Sequence, residues 1–182
     1  MVTGVSVGSI NALGYSLFDK GQEAEADEFI TKHWKNITNQ NVYKKWDSFN
    51  PIHGILSEGG YFDSSPLYEW LTNLTQSRQM KKRLVVSSLD VHNGQYRDFK
   101  LFGEKNMDLV VNAVMASAAM PFVFPPVNMH KFGLDALLID GGSTWNSNIV
   151  SGINECLSMP NITYKSQIEI DIIMLHPSHL TP

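Results

Sequence analysis

The sequence predicts an α/β layered domain. Apolar residues at helical spacing alternate with short β-branched runs along most of the chain, which is the pattern of helices packed on a sheet. With 182 residues and 43% apolar content the chain can bury one proper core, and it reads as a single domain over residues 1–182. No internal repeat or low-complexity segment interrupts it.

The first strand is short, Met1 to Val5, and runs into Gly4-Val5-Ser6-Val7-Gly8. A serine hydroxyl is a weak nucleophile until it is exposed beside a base, and a sharp strand-to-helix turn provides that exposure. Gly4 and Gly8 are read as positions where a Cβ would not fit. Downstream, Ile10, Leu13, Leu17 and Phe18 share a helical face, and Gly21 is the expected left-handed stop. The chain begins so close to this turn that the expectation is a sheet missing its first strand, in a truncated chain.

Residues 23 to 38 carry Ala26, Phe29, Ile30, His33, Trp34 and Ile37 at amphipathic spacing, with Glu23, Glu25 and Asp27 near the positive end of the helix dipole. Residues 40 to 62, with Trp46, Phe49, Pro51, Gly54, Gly59 and Gly60, read as an irregular lid or wrapping loop. Asp63-Ser64-Ser65-Pro66 opens a helix that turns Leu67, Trp70, Leu71 and Leu74 inward. Arg83 to Leu89 is a buried strand, and His92-Asn93-Gly94 returns the chain as a hairpin over Tyr96 to Phe102. Met107 to Ala119 is a helix rich in small residues, and Leu134 to Ile139 is a strand that ends on Asp140-Gly141-Gly142. A helix from Ile149 to Leu157 and a strand from Ile168 to Met174 complete the reading.

Composition excludes several functions. The net charge is −4 and the longest cationic block is Lys81-Lys82-Arg83, so nothing favours a nucleic-acid partner. Cys156 is the sole cysteine, which excludes an intrachain disulfide. Asn36, Asn73 and Asn161 head glycosylation-type triplets, yet no signal peptide is visible. Leu109 to Val127 is uncharged, but Pro121, Pro125 and Pro126 would break a spanning helix, so no transmembrane segment is expected.

Asp140 is the best partner for Ser6, because it follows an apolar strand and precedes two glycines, and ligand-handling residues of α/β sheets collect beyond the carboxyl ends of strands. An ordinary Asp-Gly turn is the alternative. His130, His176 and His179 offer a Ser/Asp/His triad or metal ligands, but the several strands that such hydrolases carry before the serine turn are not present, and no Cys or carboxylate cluster accompanies the histidines. Asp90 reads as a structural hairpin aspartate. Met115, Met120, Phe122 and Phe124 read as core, with an acyl-chain groove as the sharper alternative.

Three ordered blocks add to this: Gly4-Val5-Ser6-Val7-Gly8-Ser9-Ile10-Asn11-Ala12, Ala116-Ser117-Ala118-Ala119-Met120-Pro121-Phe122-Val123-Phe124-Pro125-Pro126-Val127, and Asp140-Gly141-Gly142 with Asn146. In order and spacing they resemble the patatin-like phospholipases, with weaker likeness at residues 60–67 and 88–94, so that the resemblance runs from Met1 to about Met174. It implies a three-layer fold with a central, mainly parallel sheet. It also implies hydrolysis of lipid acyl esters, of phospholipase A or lysophospholipase type, by a Ser/Asp dyad without a metal or organic cofactor. Carried over, Ser6 is the nucleophile, Asp140 the base and then the acid, Val7 a partial oxyanion donor, and Gly4, Gly8, Gly141 and Gly142 the motif glycines. The expected substrate sits at a membrane or lipid-droplet surface, with the protein cytoplasmic or peripheral to the membrane. Two departures stand out: the family's glycine-rich oxyanion loop is absent upstream of Ser6, and Asn148 stands where the family often has proline. The alternative is an inactive domain that binds lipid or a protein partner through the same groove.

Overall fold

Strand β2 (Leu84–Asp90) organises the molecule. The computed structural model describes residues 1–46 and 54–173, and within them β2 is buried along nearly its whole length, which suits its run of Leu, Val, Val, Ser, Ser. On one edge it pairs antiparallel with β3 (Tyr96–Leu101), the expected hairpin return. Its other edge is shared by two short strands. β1 (Val2–Val5) lies parallel to the first half, with Val5 opposite Ser87. β5 (Leu137–Asp140) lies antiparallel to the second half, with Asp140 opposite Ser88. The two strands therefore run towards each other along one edge of β2 and stop at adjacent register positions. β4 (Val127–Asn128) pairs with β5 and completes the five-stranded sheet.

Helices lie on both faces. Leu84 and Val86 of β2 point into a core formed with Ile10 and Leu13 of α1 (Val7–Ser16), Leu67 and Leu71 of α4 (Ser65–Thr75), and Val110, Val111 and Val114 of α5 (Met107–Ser117). α2 (Glu23–Asn36) packs outside α1, where Gly14 permits the approach, since a Cβ there would lie 2.8 Å from Ile30 Cγ1. A single turn, α3 (Asn39–Val42), follows, capped by Thr38 and Asn41. The opposite face, by the period-two alternation of β2, carries Val85 and Ser87, and Ser87 meets Asn148 at the start of α6 (Ile149–Leu157). There Ser87 and Asn148 meet Asp98, and Glu155 pairs with Arg83 at 2.7 Å and Lys100 at 3.3 Å.

The α/β class and the layering follow the sequence reading, but the sheet is mixed rather than mainly parallel: β1 with β2 is the parallel pair, and the other three pairings are antiparallel. Residues 168–173 do not form the expected strand. Their alternating Ile residues carry the pattern, yet Ile170, Ile172 and Ile173 are exposed and among the described residues they pair with no strand; Met174 lies outside the described residues. The stretch read as a wrapping loop holds α3 and a π-type turn, Gly54–Glu58, while Trp46 anchors it by donating Nε1–H to Gly60 O at 3.0 Å; Phe49 and Pro51 lie outside the described residues. Gly21 adopts φ 93, in the loop after α1.

Candidate active site

The meeting of β1 and β5 creates the site. β1 ends at Val5 and the chain turns at once into α1, with Ser6 at φ 56 and ψ −133 as the corner residue. This is the left-handed half of backbone space, costly for a residue with a Cβ and seen where surrounding structure enforces it. Gly4 makes the turn possible, because a Cβ there would sit 2.2 Å from Gly8 O and 2.7 Å from Ser9 Cα. Gly8 differs from expectation. Nothing lies within 4 Å of a Cβ built on it, so this glycine is not sterically required.

From the opposite direction β5 delivers Asp140, 5% exposed, into the same gap. Ser6 Oγ donates to Asp140 Oδ2 at 2.6 Å. The other carboxylate oxygen, Oδ1, accepts the Gly142 N–H at 2.7 Å, and the Asp140 N–H donates to Ala119 O at 2.9 Å. Gly141 must be small: its Cβ would stand 2.4 Å from Ser87 O. At Gly142 a Cβ would press on Asp140 Oδ1 at 3.0 Å and Asn146 Oδ1 at 3.1 Å. Tyr96 closes this side, its hydroxyl donating to Trp145 O at 3.2 Å. Burial raises the pKa of that phenol, and the carboxylates of Asp98 and Asp140 add to the effect.

Val7 is the first residue of α1, where a backbone N–H has no acceptor within the helix, and its side chain is exposed. Its amide follows the serine corner directly in the chain. Gly59 and Gly60 pack instead against the Phe124 to Pro126 segment, with Gly60 Cβ space closed by Pro125 N at 2.4 Å.

Asp90 is structural. Completely buried, it accepts from His92 N at 3.0 Å, Asn93 Nδ2 at 3.3 Å and Arg97 Nε at 2.8 Å. Burial alone would raise its pKa, but the His92 amide and the Arg97 guanidinium outweigh that and hold it below the usual carboxylate range. His130 pairs on the surface with Asp135 at 2.6 Å, away from Ser6 and Asp140, and His176 and His179 lie outside the described residues.

Met115 is in the core, as expected, whereas Met120 at 51% and Phe122 at 77% exposure are not. α5 stops at Ser117 and the chain turns outward at Pro121, with Phe122 at φ 65 and its carbonyl accepting the Tyr61 N–H at 2.9 Å. Met120 and Phe122, on the loop that begins at Ala119, the residue bonded to Asp140, and Tyr61, on the segment bonded to Phe122, thus form an exposed apolar rim.

Two contributors escape sequence reading. Ser117 Oγ accepts the Ser6 N–H at 3.1 Å and donates to Ser87 O at 2.7 Å; the only signal is a serine among small residues. Asn148 caps α6 by accepting from Ser151 N at 3.0 Å and donates to Ser87 Oγ at 2.8 Å and Asp98 Oδ1 at 2.6 Å, which explains how this helix start works without proline.

A family model described as patatin-like phospholipase matches residues 1–151. A curated relative, the cGAMP-activated phospholipase of Vibrio cholerae serotype O1, is 24% identical over 164 residues, covering 85% of this chain and 45% of its own length. The chain thus spans about half of that relative. With a family match over most of its length, on a fold that brings the three sequence blocks to one sheet junction, this chain belongs to the patatin-like phospholipase family.

Proposed function

We propose that this chain hydrolyses lipid acyl esters through a Ser6/Asp140 dyad with an acyl-enzyme intermediate. The observation that carries the reading is the 2.6 Å hydrogen bond from Ser6 Oγ to Asp140 Oδ2 at the junction of two strand ends. In this reading Asp140 Oδ2 takes the hydroxyl proton as Oγ attacks the acyl carbonyl. The tetrahedral intermediate collapses with the proton passing from Asp140 to the leaving alcohol, which leaves the acyl group on Oγ. A water molecule then gives its proton to Asp140 and attacks the acyl carbon, and Ser6 recovers its proton as the fatty acid leaves.

The 2.6 Å contact puts Asp140 Oδ2 within direct reach of the hydroxyl proton, so no relay group is needed between the two. The Val7 N–H is the proposed oxyanion donor, and each such donor is worth ~10²–10³ in turnover. The apolar rim of Met120, Phe122 and Tyr61 supports a substrate presented at a membrane or lipid-droplet surface. Among the described residues no helix is long and apolar enough to cross a membrane.

The test is a fluorophosphonate probe followed by peptide mapping. Labelling at Ser6 that disappears in Ser6→Ala supports the hydrolase, and fatty-acid release from phospholipid vesicles by the wild type then identifies the ester cleaved. A folded wild type that takes no label contradicts it and favours the inactive lipid- or partner-binding domain.

A further inference from the structure

Ser6 stands at a backbone angle that relaxes unless its neighbours prevent it, and both of its backbone polar groups are held by buried serine hydroxyls. Its carbonyl accepts from Ser9 Oγ at 2.6 Å and from Ser9 N at 2.9 Å, a link within the first turn of α1. Its N–H is held from much farther along the chain, by Ser117 Oγ at 3.1 Å. Ser117 is fully buried at the last position of α5. Its one hydroxyl proton goes to Ser87 O at 2.7 Å, so towards Ser6 the oxygen acts only as an acceptor. Ser87 is in turn the β2 residue opposite Val5, one position before the residue opposite Asp140. A single hydroxyl therefore connects the serine corner, the end of α5 and the strand against which both halves of the dyad are registered.

We infer that Ser117 is a positioning residue for the reaction: it holds Ser6 in the left-handed corner so that Oγ stays in line with Asp140 Oδ2. The inference rests on the hydrolase reading for its catalytic consequence, while the backbone clamp itself does not. Without the Ser117 oxygen the Ser6 N–H loses its acceptor, the corner is free to relax, and Oγ drifts from Asp140. Misplacement of a reacting group by about 1 Å is enough to cost ~10²-fold in rate. A merely structural serine would lower stability and leave the rate alone.

The experiment compares Ser117→Ala with Ser16→Ala, which removes an equally buried hydroxyl, one that bonds Leu13 O at 2.7 Å at the other end of α1. The rate of Ser6 phosphonylation is expected to fall ~10- to 100-fold in Ser117→Ala, with kcat on a soluble short-chain ester falling and KM unchanged, and to stay within about twofold of wild type in Ser16→Ala. Ser117→Thr keeps the hydroxyl and is expected to restore most of the rate; it is also the variant measured if Ser117→Ala does not fold, with phosphonylation near the wild-type rate as the supporting result and a loss like that expected of the alanine variant as the opposing one. Hydrogen exchange at the Ser6 amide reads the clamp without turnover and should accelerate about tenfold or more in Ser117→Ala only. Unchanged exchange together with an unchanged phosphonylation rate in folded Ser117→Ala overturns the inference. A wild type that is never labelled overturns the hydrolase reading alone, and the exchange measurement still decides the clamp.

Discussion

Asp90 and Asp140 are the same residue in nearly the same setting: each ends a strand of one sheet, each is buried, and each is followed closely by a glycine turn. Their partners separate them. Asp90 is saturated, with a guanidinium, a side-chain amide and a backbone N–H on its two oxygens, and the His92 N–H together with the Arg97 cation holds it ionised. Asp140 has a neutral backbone N–H on one oxygen and a neutral hydroxyl on the other, and among the described residues it forms no ion pair. A carboxylate committed to a cation fastens a hairpin. One that faces a hydroxyl at hydrogen-bonding distance stands where the proposed reaction needs its base.

Substitutions at the two positions should therefore give opposite results. Ser6→Ala removes the nucleophile and is expected to abolish labelling and ester turnover entirely. Asp140→Asn should lower turnover by ~10²–10⁴, the range for a lost general base, with the fold retained by circular dichroism. Gly4→Ala forces a Cβ into the Gly8 backbone and is expected to destabilise the chain by about 1–3 kcal/mol and to misplace Ser6.

Asp90→Asn should act the other way, leaving turnover near the wild-type level while lowering stability by about 1–3 kcal/mol in urea titrations, towards the lower figure because Arg97 is partly hydrated. The pH dependence has a definite sign. The folded pKa of Asp90 lies below its unfolded value of about 3.9, so its contribution is complete above that value and is lost as pH falls through the folded pKa. Asp108, held down first by the Tyr68 hydroxyl and then by Lys131, adds in the same direction. Asp90→Asn is expected to flatten, without removing, the acid limb of the stability curve. Gly8→Ala carries the smallest effect: with open space around the new Cβ and a helical position to fill, stability should stay level or rise by up to ~1 kcal/mol.

Much of this was legible in the residues, for physical reasons. The helix over 149–157 and the hairpin of β2 and β3 match closely because periodicity and turn chemistry are local properties. Ser6 and Asp140 were legible as strand-end residues beside glycines. What a hydrophobic pattern does not carry is direction or pairing. Nothing in Leu137 to Asp140 says that it runs antiparallel to β2, and nothing in the alternating Ile residues after 167 says that, among the described residues, they pair with no strand. Burial of Met120 and Phe122 was expected from apolarity alone, which is blind to a chain turning outward after α5. Ser117 was hidden because a buried serine in a small-residue helix looks like packing until its long-range partner is known.

The most direct test of the central claim is the rate at which a fluorophosphonate modifies Ser6 in Asp140→Asn against Asp90→Asn, both checked for folding. If the hydroxyl draws its reactivity from the uncommitted carboxylate, the first variant reacts at least ~10²-fold more slowly than wild type and the second at nearly the wild-type rate. Equal rates in the two variants, or a slower reaction in Asp90→Asn, would contradict it.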